Sequence, residues 1–491
     1  MRCDDEKRLA LRVVAKEELD AHNTAVTLLA GQHVGGAFPD PPEFARCGLH
    51  PDYSGLVHAI PKVVTRVTRK GVEVTRGCPT CAERWGSFRE YRASKAYKLW
   101  VRLQTFNPGS DDHVRWLLFD ALRLKPIEFT EITKVPKVNL INLQEIAEAT
   151  TTPEEHVGIV ESLIARAHVE TRLNVFLDPP LDNEGVMHPN YTLCGTSTLR
   201  LRSGRVTSDP DKMSNEGDFN AQNIPKDVRS IWIADPGHVF VSYDAAQIEW
   251  IATMIAARCQ RAVEMYEREE NVHIGNMRLL APVMGWTVGA MPKKQIEYGY
   301  SKSFTHATDY GEGWFNLKRR FKVEAKVAKA GQRVYLDAWP EVEAWQKEVE
   351  VQVVATRELR TCFGFRRRFF DVTQKMFKGK KKLGLDRKQF KEALATGPQS
   401  MNACLNLIGM NLLADAGFDL VTTVHDELVV QIKEGDLDSV RRGMDILRFE
   451  VPEFEPLIGK ATFRPRWEAK LGRNLGPFDE SNPEGLKEVT L

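Results

Sequence analysis

The sequence lacks most of the features that settle a protein's class at a glance. No stretch approaches the roughly 18 uninterrupted apolar residues of a membrane span. The opening, MRCDDEKRLALRVV, mixes acids and bases without an apolar core, so it does not read as a secretory signal. A soluble, cytoplasmic chain with no membrane partner is the expectation. Eight cysteines in 491 residues make no disulfide framework. Charge of one sign is missing as well. The 68 Lys and Arg against 67 Asp and Glu leave +1, which argues neither for nor against a nucleic-acid partner. Repeats and low-complexity tracts are absent beyond one short lysine run. The length exceeds one compact core, so about two to four domains are expected.

What is present is local. KVVTRVTRKGVEVTRG (62–77), FGFRRRFF (363–370) and KMFKGKKK (375–382) concentrate positive charge. Two Cys/His pairs, CGLH (Cys47 and His50) and CPTC (Cys78 and Cys81), flank the first of these runs, which alternates like a hairpin. Three sulfurs and one imidazole at that spacing suit a closed, tetrahedral structural Zn²⁺ that staples a small basic module.

Residues 1–40 are charged, then bear Pro and Gly, and read as an arm; the zinc-ribbon-like module spans 41–90. From about 100 to 180 the pattern is helical, with FNPGS turning into an apolar-periodic helix. HVFVSYD (238–244) alternates like a half-buried strand and ends on an acid, and AAQIEWIATMIAA after it reads as a buried helix. A long, basic, helical region is expected from about 258 to 400. TTVHDELVVQI (422–432) then reads as a buried hairpin with His425, Asp426 and Glu427 at its turn.

That turn is anomalous. Hairpin turns favour Gly, Asn or Asp-Gly, and His-Asp-Glu offers no residue that readily takes a positive φ. Polar groups held between apolar strands must be paired or must hold something. Asp244 by itself reads equally as a helix cap. Two carboxylates brought together repel unless a cation lies between them, and paired Mg²⁺ ions at oxygen ligands accompany phosphate chemistry.

These stretches carry a resemblance. VSYDAAQIEWIA resembles the first catalytic motif of family A DNA polymerases and TTVHDELVVQI the last. TSTLRLRS, SDP and AQNIP resemble the segment before the first motif; NVHIG resembles the fingers histidine motif and KSFTHATDYG the nucleotide-binding helix. YLDAWPEVEAWQ, TCFGFRRRF and PQSMNA are similar to the stretches that follow, and FNPGS to the start of the thumb, all in family order over about 100–475. The resemblance implies an α+β right-hand polymerase fold. Its parts would be a thumb at 91–195, palm at 196–257 and 401–491, and fingers with adjoining helices at 258–400.

It also implies roles. Asp244 and Asp426, with the carbonyl of Ala245, would hold two Mg²⁺, while Glu427 and His425 support the site and the primer end. Lys302, His306 and Tyr310 share one helix face at i, i+4 and i+8. Lys302 would take the triphosphate, and the rings the base or sugar. Glu249 with Tyr310 would block a ribose 2′-hydroxyl; Gln247 is its neighbour, and His273 lies near the phosphates. Arg200, Gln222, Asn223 and Gln399 would hold primer and template through sugars and the minor groove, and Arg366, Arg367 and Arg368 the backbone.

The departures are specific. His306 stands where the family has Phe or Tyr, Ala307 where it has Gly, Tyr298 where an arginine is expected, and Ile251 where another is. A histidine there brings an expected pH dependence near neutrality. These differences suggest a divergent, phage-like branch. No room or motif for a 3′→5′ exonuclease is visible before the thumb, so a separate exonuclease or replication accessory protein is an expected partner, beside primer-template DNA and dNTPs. A single-subunit RNA polymerase and a non-catalytic DNA-binding replication factor are the alternatives; Glu249 weighs against the first, intact Asp244, Asp426 and Lys302 against the second.

Overall fold

The stretch HVFVSYDA forms strand β1, His238–Ala245. It is the centre of a five-stranded antiparallel sheet ordered β2-β3-β1-β4-β5, with β2 at Asp419–Val424, β3 at Glu427–Lys433, β4 at Trp467–Gly472 and β5 at Lys487–Glu488. Alternation predicts one buried face, yet β1 is buried on both. Val239, Val241 and Tyr243 join the main core, and Phe240 and Ser242 are covered on the other side. The run VFV is continuous and apolar, as strands covered on two faces are.

The structure, a computed structural model, describes residues 1–33, the backbone of four strands between 44 and 76, and residues 106–489 apart from 131–133, 150, 180, 205–218, 371, 378–379 and 461, with backbone alone for the rest of 373–383. It divides into two units, one of Met1–Arg8, Pro179–Val206 and Ser214–Leu491, the other of Leu9–Asp178 and Thr207–Met213.

In the first unit, β1 runs into helix α1 (Ile248–Ala256), whose every residue but Glu249 is buried, as its nearly all-apolar sequence requires. Helix α2 (Val272–Met284) is capped by Asn271, whose side chain accepts from the Ile274 N–H, and packs against α3 (Ile296–Asp309) and α4 (Ala325–Ala338). Helix α5 (Arg387–Asp415) packs on α1 and supports the β2–β3 hairpin. The expected helical stretch of 258–400 is interrupted by two hairpins, Glu358–Arg360 with Arg366–Arg368 and Thr373–Phe377 with Lys380–Gly384. The first turns through Gly364 at φ 79°, a conformation a side chain resists.

In the second unit, Asp111–Arg115 begins a helix that widens to π geometry over Trp116–Ala121; helices Leu140–Glu148 and Glu154–Thr171 follow. The segment expected as an arm is largely a 29-residue helix, Asp5–His33. Its apolar stripe is sparse, so charge hides it in sequence. Val26 and Ala30, one turn apart, bury fully with Leu117, Leu118, Ile159 and Val160. The basic run after His50 does form a hairpin, Lys62–Thr68 with Gly71–Arg76, and Cys47 pairs with His50 across Phe44–Cys47 and His50–Leu56. The zinc ligand set lies outside the described residues: Cys78 and Cys81 altogether, Cys47 and His50 in their side chains.

Candidate active site

The polar turn is held from outside. Val424 pairs with Glu427, so His425 and Asp426 are a two-residue loop, and His425 takes the positive φ (57°) that such a loop requires. No intrinsic preference puts a histidine there; its neighbours do. The His425 N–H donates to Gln222 Oε1 at 2.8 Å, and its carbonyl accepts from Asn406 Nδ2 at 2.9 Å. Gln222 Nε2 also donates to the Thr423 carbonyl at 3.0 Å, while the Tyr191 hydroxyl lies 2.6 Å from Thr422 Oγ1. Gln222 is buried and Asn223 beside it exposed.

Sheet register then brings the acids together. Asp244 is paired with Glu427 on β3, and the Ala245 N–H donates to the Asp426 carbonyl at 3.2 Å. Burial, with the charge of Asp244 facing it, pushes the Asp426 carboxyl up to about 6. Glu427 accepts from Arg229 Nη1 at 3.1 Å and from Ser242 Oγ. Asp244 Oδ2 accepts from Lys470 Nζ at 3.1 Å. Among the described residues no three His, Cys, Asp or Glu side chains converge as a ready-made metal cage. Two neighbouring carboxylates on half-buried residues are a donor set that suits Mg²⁺, which keeps waters and shares substrate phosphates.

Helix α3 supplies the opposite wall. Lys302 is exposed on this helix and near enough for its charge to act on Asp426, His273 and His306. The Tyr310 hydroxyl donates to Glu249 Oε1 at 3.0 Å. Gln247, at φ 55°, turns the chain from β1 into α1 and accepts the Val272 N–H at 2.9 Å, tying the first motif to the start of α2. His273 and His306 face each other with ring centroids 5.6 Å apart, and neither ring has a described hydrogen-bond partner. Burial pushes His273 down to about 3, helped by His306 and Lys302, and lowers His306 for the same first reason. Both rings are therefore neutral at ordinary pH. The expected titration of His306 near neutrality is corrected: an imidazole closed off from water lacks the solvation its charge needs.

Other expected residues are more dispersed. Arg200 is close enough to act electrostatically on Tyr310 and His425. Gln399 sits half-buried in α5, next to Pro398. Arg366 and Arg368 are exposed, whereas Arg367 turns inward and donates to Glu392 Oε2 at 2.6 Å and Thr396 Oγ1 at 3.1 Å; strand alternation separates the three. Ile251, in place of an expected arginine, is fully buried, and Tyr298 packs edge-on against His273 with centroids 6.1 Å apart. Sequence reasoning missed Tyr191, Arg229, Asn406 and Lys470. Nothing in their local sequence marks them, because each meets the site only through distant pairing.

The chain belongs to DNA polymerase family A, whose model matches residues 82–450. It is 23% identical over 356 residues to the thermostable DNA polymerase I of Thermus aquaticus, covering 69% of this chain and 38% of that one. With DNA polymerase I of Pseudomonas aeruginosa the identity is 24% over 376 residues, covering 74% and 38%. The match thus spans under two-fifths of the length of these relatives. In fold it is similar to the POL domain of Pol1 from M. smegmatis, solved in complex with DNA primer-template and dNTP, with a TM-score of 0.51 at 19% identity over 78% of this chain and 64% of that one.

Proposed function

We propose that this chain is a template-directed DNA polymerase that adds dNTPs to a primer 3′ end. The observation that carries the reading is the Asp244–Asp426 pair at the ends of adjoining sheet elements, within the field of Lys302. Asp244, Asp426 and the Ala245 carbonyl would hold two Mg²⁺. Bound there, these ions lower the pKa of an attacking hydroxyl and stabilise leaving phosphates. The protein's own part is positioning. Lys302 draws the triphosphate to α3. His425, fixed by Gln222 and Asn406, presents its ring to the primer end. The hydrogen-bonded Glu249–Tyr310 pair stands against a 2′-hydroxyl, which favours DNA over RNA synthesis. Arg200, Asn223, Gln399, Arg366 and Arg368 grip primer-template, with Gln222 bracing the His425 turn and Arg367 bracing its hairpin against α5.

The deciding experiment is extension of a labelled primer on a DNA template, with dNTPs or rNTPs. Growth with dNTPs alone, abolished in Asp426→Ala and opened to rNTPs in Glu249→Ala, is expected. Equal growth with rNTPs would turn the reading to an RNA polymerase; binding without synthesis would turn it to a DNA-binding factor. A structural Zn²⁺ at Cys47, His50, Cys78 and Cys81 belongs to the same reading, and elemental analysis of Cys78→Ser against wild type tests it. So does a separate proofreading partner; trimming of a mismatched 3′ end by this chain alone would remove the need for one.

A further inference from the structure

Strand register lines up acids across the centre of the sheet. Asp244 on β1 lies opposite Glu427 on β3 and opposite Glu468 on β4, so three carboxylates leave one face in a row. Two features answer Glu427 locally, Arg229 at 3.1 Å and the Ser242 hydroxyl. The cation on Asp244 comes from the row's own strand. Lys470 lies two residues beyond Glu468 on β4, so its side chain leaves the same face, and its Nζ donates to Asp244 Oδ2 at 3.1 Å. The side chains are 28% and 37% exposed. The pair is therefore open to water and ions, and an ammonium on a flexible four-carbon stem can leave it without disturbing the sheet.

We propose that Lys470 is a positioning residue that acts as a monovalent counter-ion to Asp244, orienting its carboxylate between turnovers and yielding Oδ2 to a divalent cation. The inference rests on reading Asp244 and Asp426 as a metal-holding pair. Its consequence is competition: the lysine steadies the metal-free protein and weakens the apparent affinity for metal. A lysine that only held the strand would have the opposite effect, since loosening a ligand weakens binding.

The test is titration of the full chain with Mn²⁺ alone, without DNA or nucleotide, followed by electron paramagnetic resonance of free Mn²⁺. Lys470→Met should bind Mn²⁺ roughly twofold to fivefold more tightly than wild type, about the worth of one partly exposed ion pair. Lys470→Gln should move the same way and Lys470→Arg should stay near wild type. Thermal melts supply the second reading: Lys470→Met should melt lower than wild type without metal, and saturating Mn²⁺ should close the gap. Unchanged or weaker Mn²⁺ binding in both Lys470→Met and Lys470→Gln, with binding lost in Asp244→Asn, would overturn the role of Lys470 and leave the metal reading standing. Binding that persists unchanged in Asp244→Asn would overturn the metal reading and this inference with it.

Discussion

Replacing Asp309 with asparagine should change the sign of a stability difference as pH rises. Asp309 ends α3, is fully buried, and adjoins Tyr310 of the Glu249–Tyr310 pair. The Tyr335 hydroxyl donates to its Oδ1 at 2.8 Å, Trp250 Nε1 donates to that hydroxyl at 3.3 Å, and Oδ2 has no described partner. Burial pushes the carboxyl up to about 8, against the opposing pull of the Tyr335 hydrogen bond, whereas the unperturbed group titrates at 3.8. Between those values the folded chain keeps a proton that the unfolded chain has released, so stability falls as pH rises through the window. The slope is about 1.4 kcal/mol per pH unit, or about 3 kcal/mol from pH 5 to pH 7. The substituted side chain would not titrate and would still accept from Tyr335, but it would bury an amide without a partner at a cost of about 1–3 kcal/mol. Asp309→Asn should therefore be equal or less stable near pH 4 and more stable at pH 7. Paired urea unfolding at pH 5, 6 and 7 measures the difference. Parallel pH dependences in the two proteins would refute the reasoning, because Asp309 would then carry an ordinary carboxyl.

Gln222→Ala leaves the His425 N–H and the Thr423 carbonyl without their partner, and should cost about 2–4 kcal/mol in chemical unfolding; an unchanged midpoint would mean the turn does not depend on this brace. His425→Gly should relieve about 1 kcal/mol of left-handed strain while lowering primer extension, so stability and activity should move apart. His306→Phe should leave the pH profile of extension unchanged from about pH 7.5 upward, since burial lowers the imidazole below its usual range; a displaced profile there would show that the histidine titrates in that range. Below pH 6.5 the unfolded chain protonates His273 and His306, whose pKa values the fold lowers by burial, so acid should destabilise the protein, and His273→Gln should flatten that loss in thermal melts.

Much of the site was legible because its parts are local. A strand carrying Asp244 near its end, a mostly apolar helix after it, a hairpin around Asp426 and a helix carrying Lys302 and His306 follow from short-range periodicity and are present in the fold, with Tyr310 one residue past that helix as its C-terminal cap. The arm read from charge at the N-terminus is mostly helix, since an apolar stripe as thin as Val26 and Ala30 gives little periodic signal. The hairpin that turns Arg367 inward lay hidden in a stretch that reads as helix, because pairing between its strands outweighed their weak local preference.

The sequence by itself determined which residues are acids, which lie on strands, and that a hairpin turn would carry His-Asp-Glu. Tertiary structure alone decided what their surroundings do to them. It set Asp426 against Asp244 and raised its carboxyl, buried the ring nitrogens of His273 and His306, and gave His425 its left-handed backbone through Gln222 and Asn406. It also brought Lys470 from 226 residues away onto Asp244. Periodicity reports a residue's own element, whereas burial and electrostatic partners depend on which distant strands lie beside it, and no local pattern encodes that.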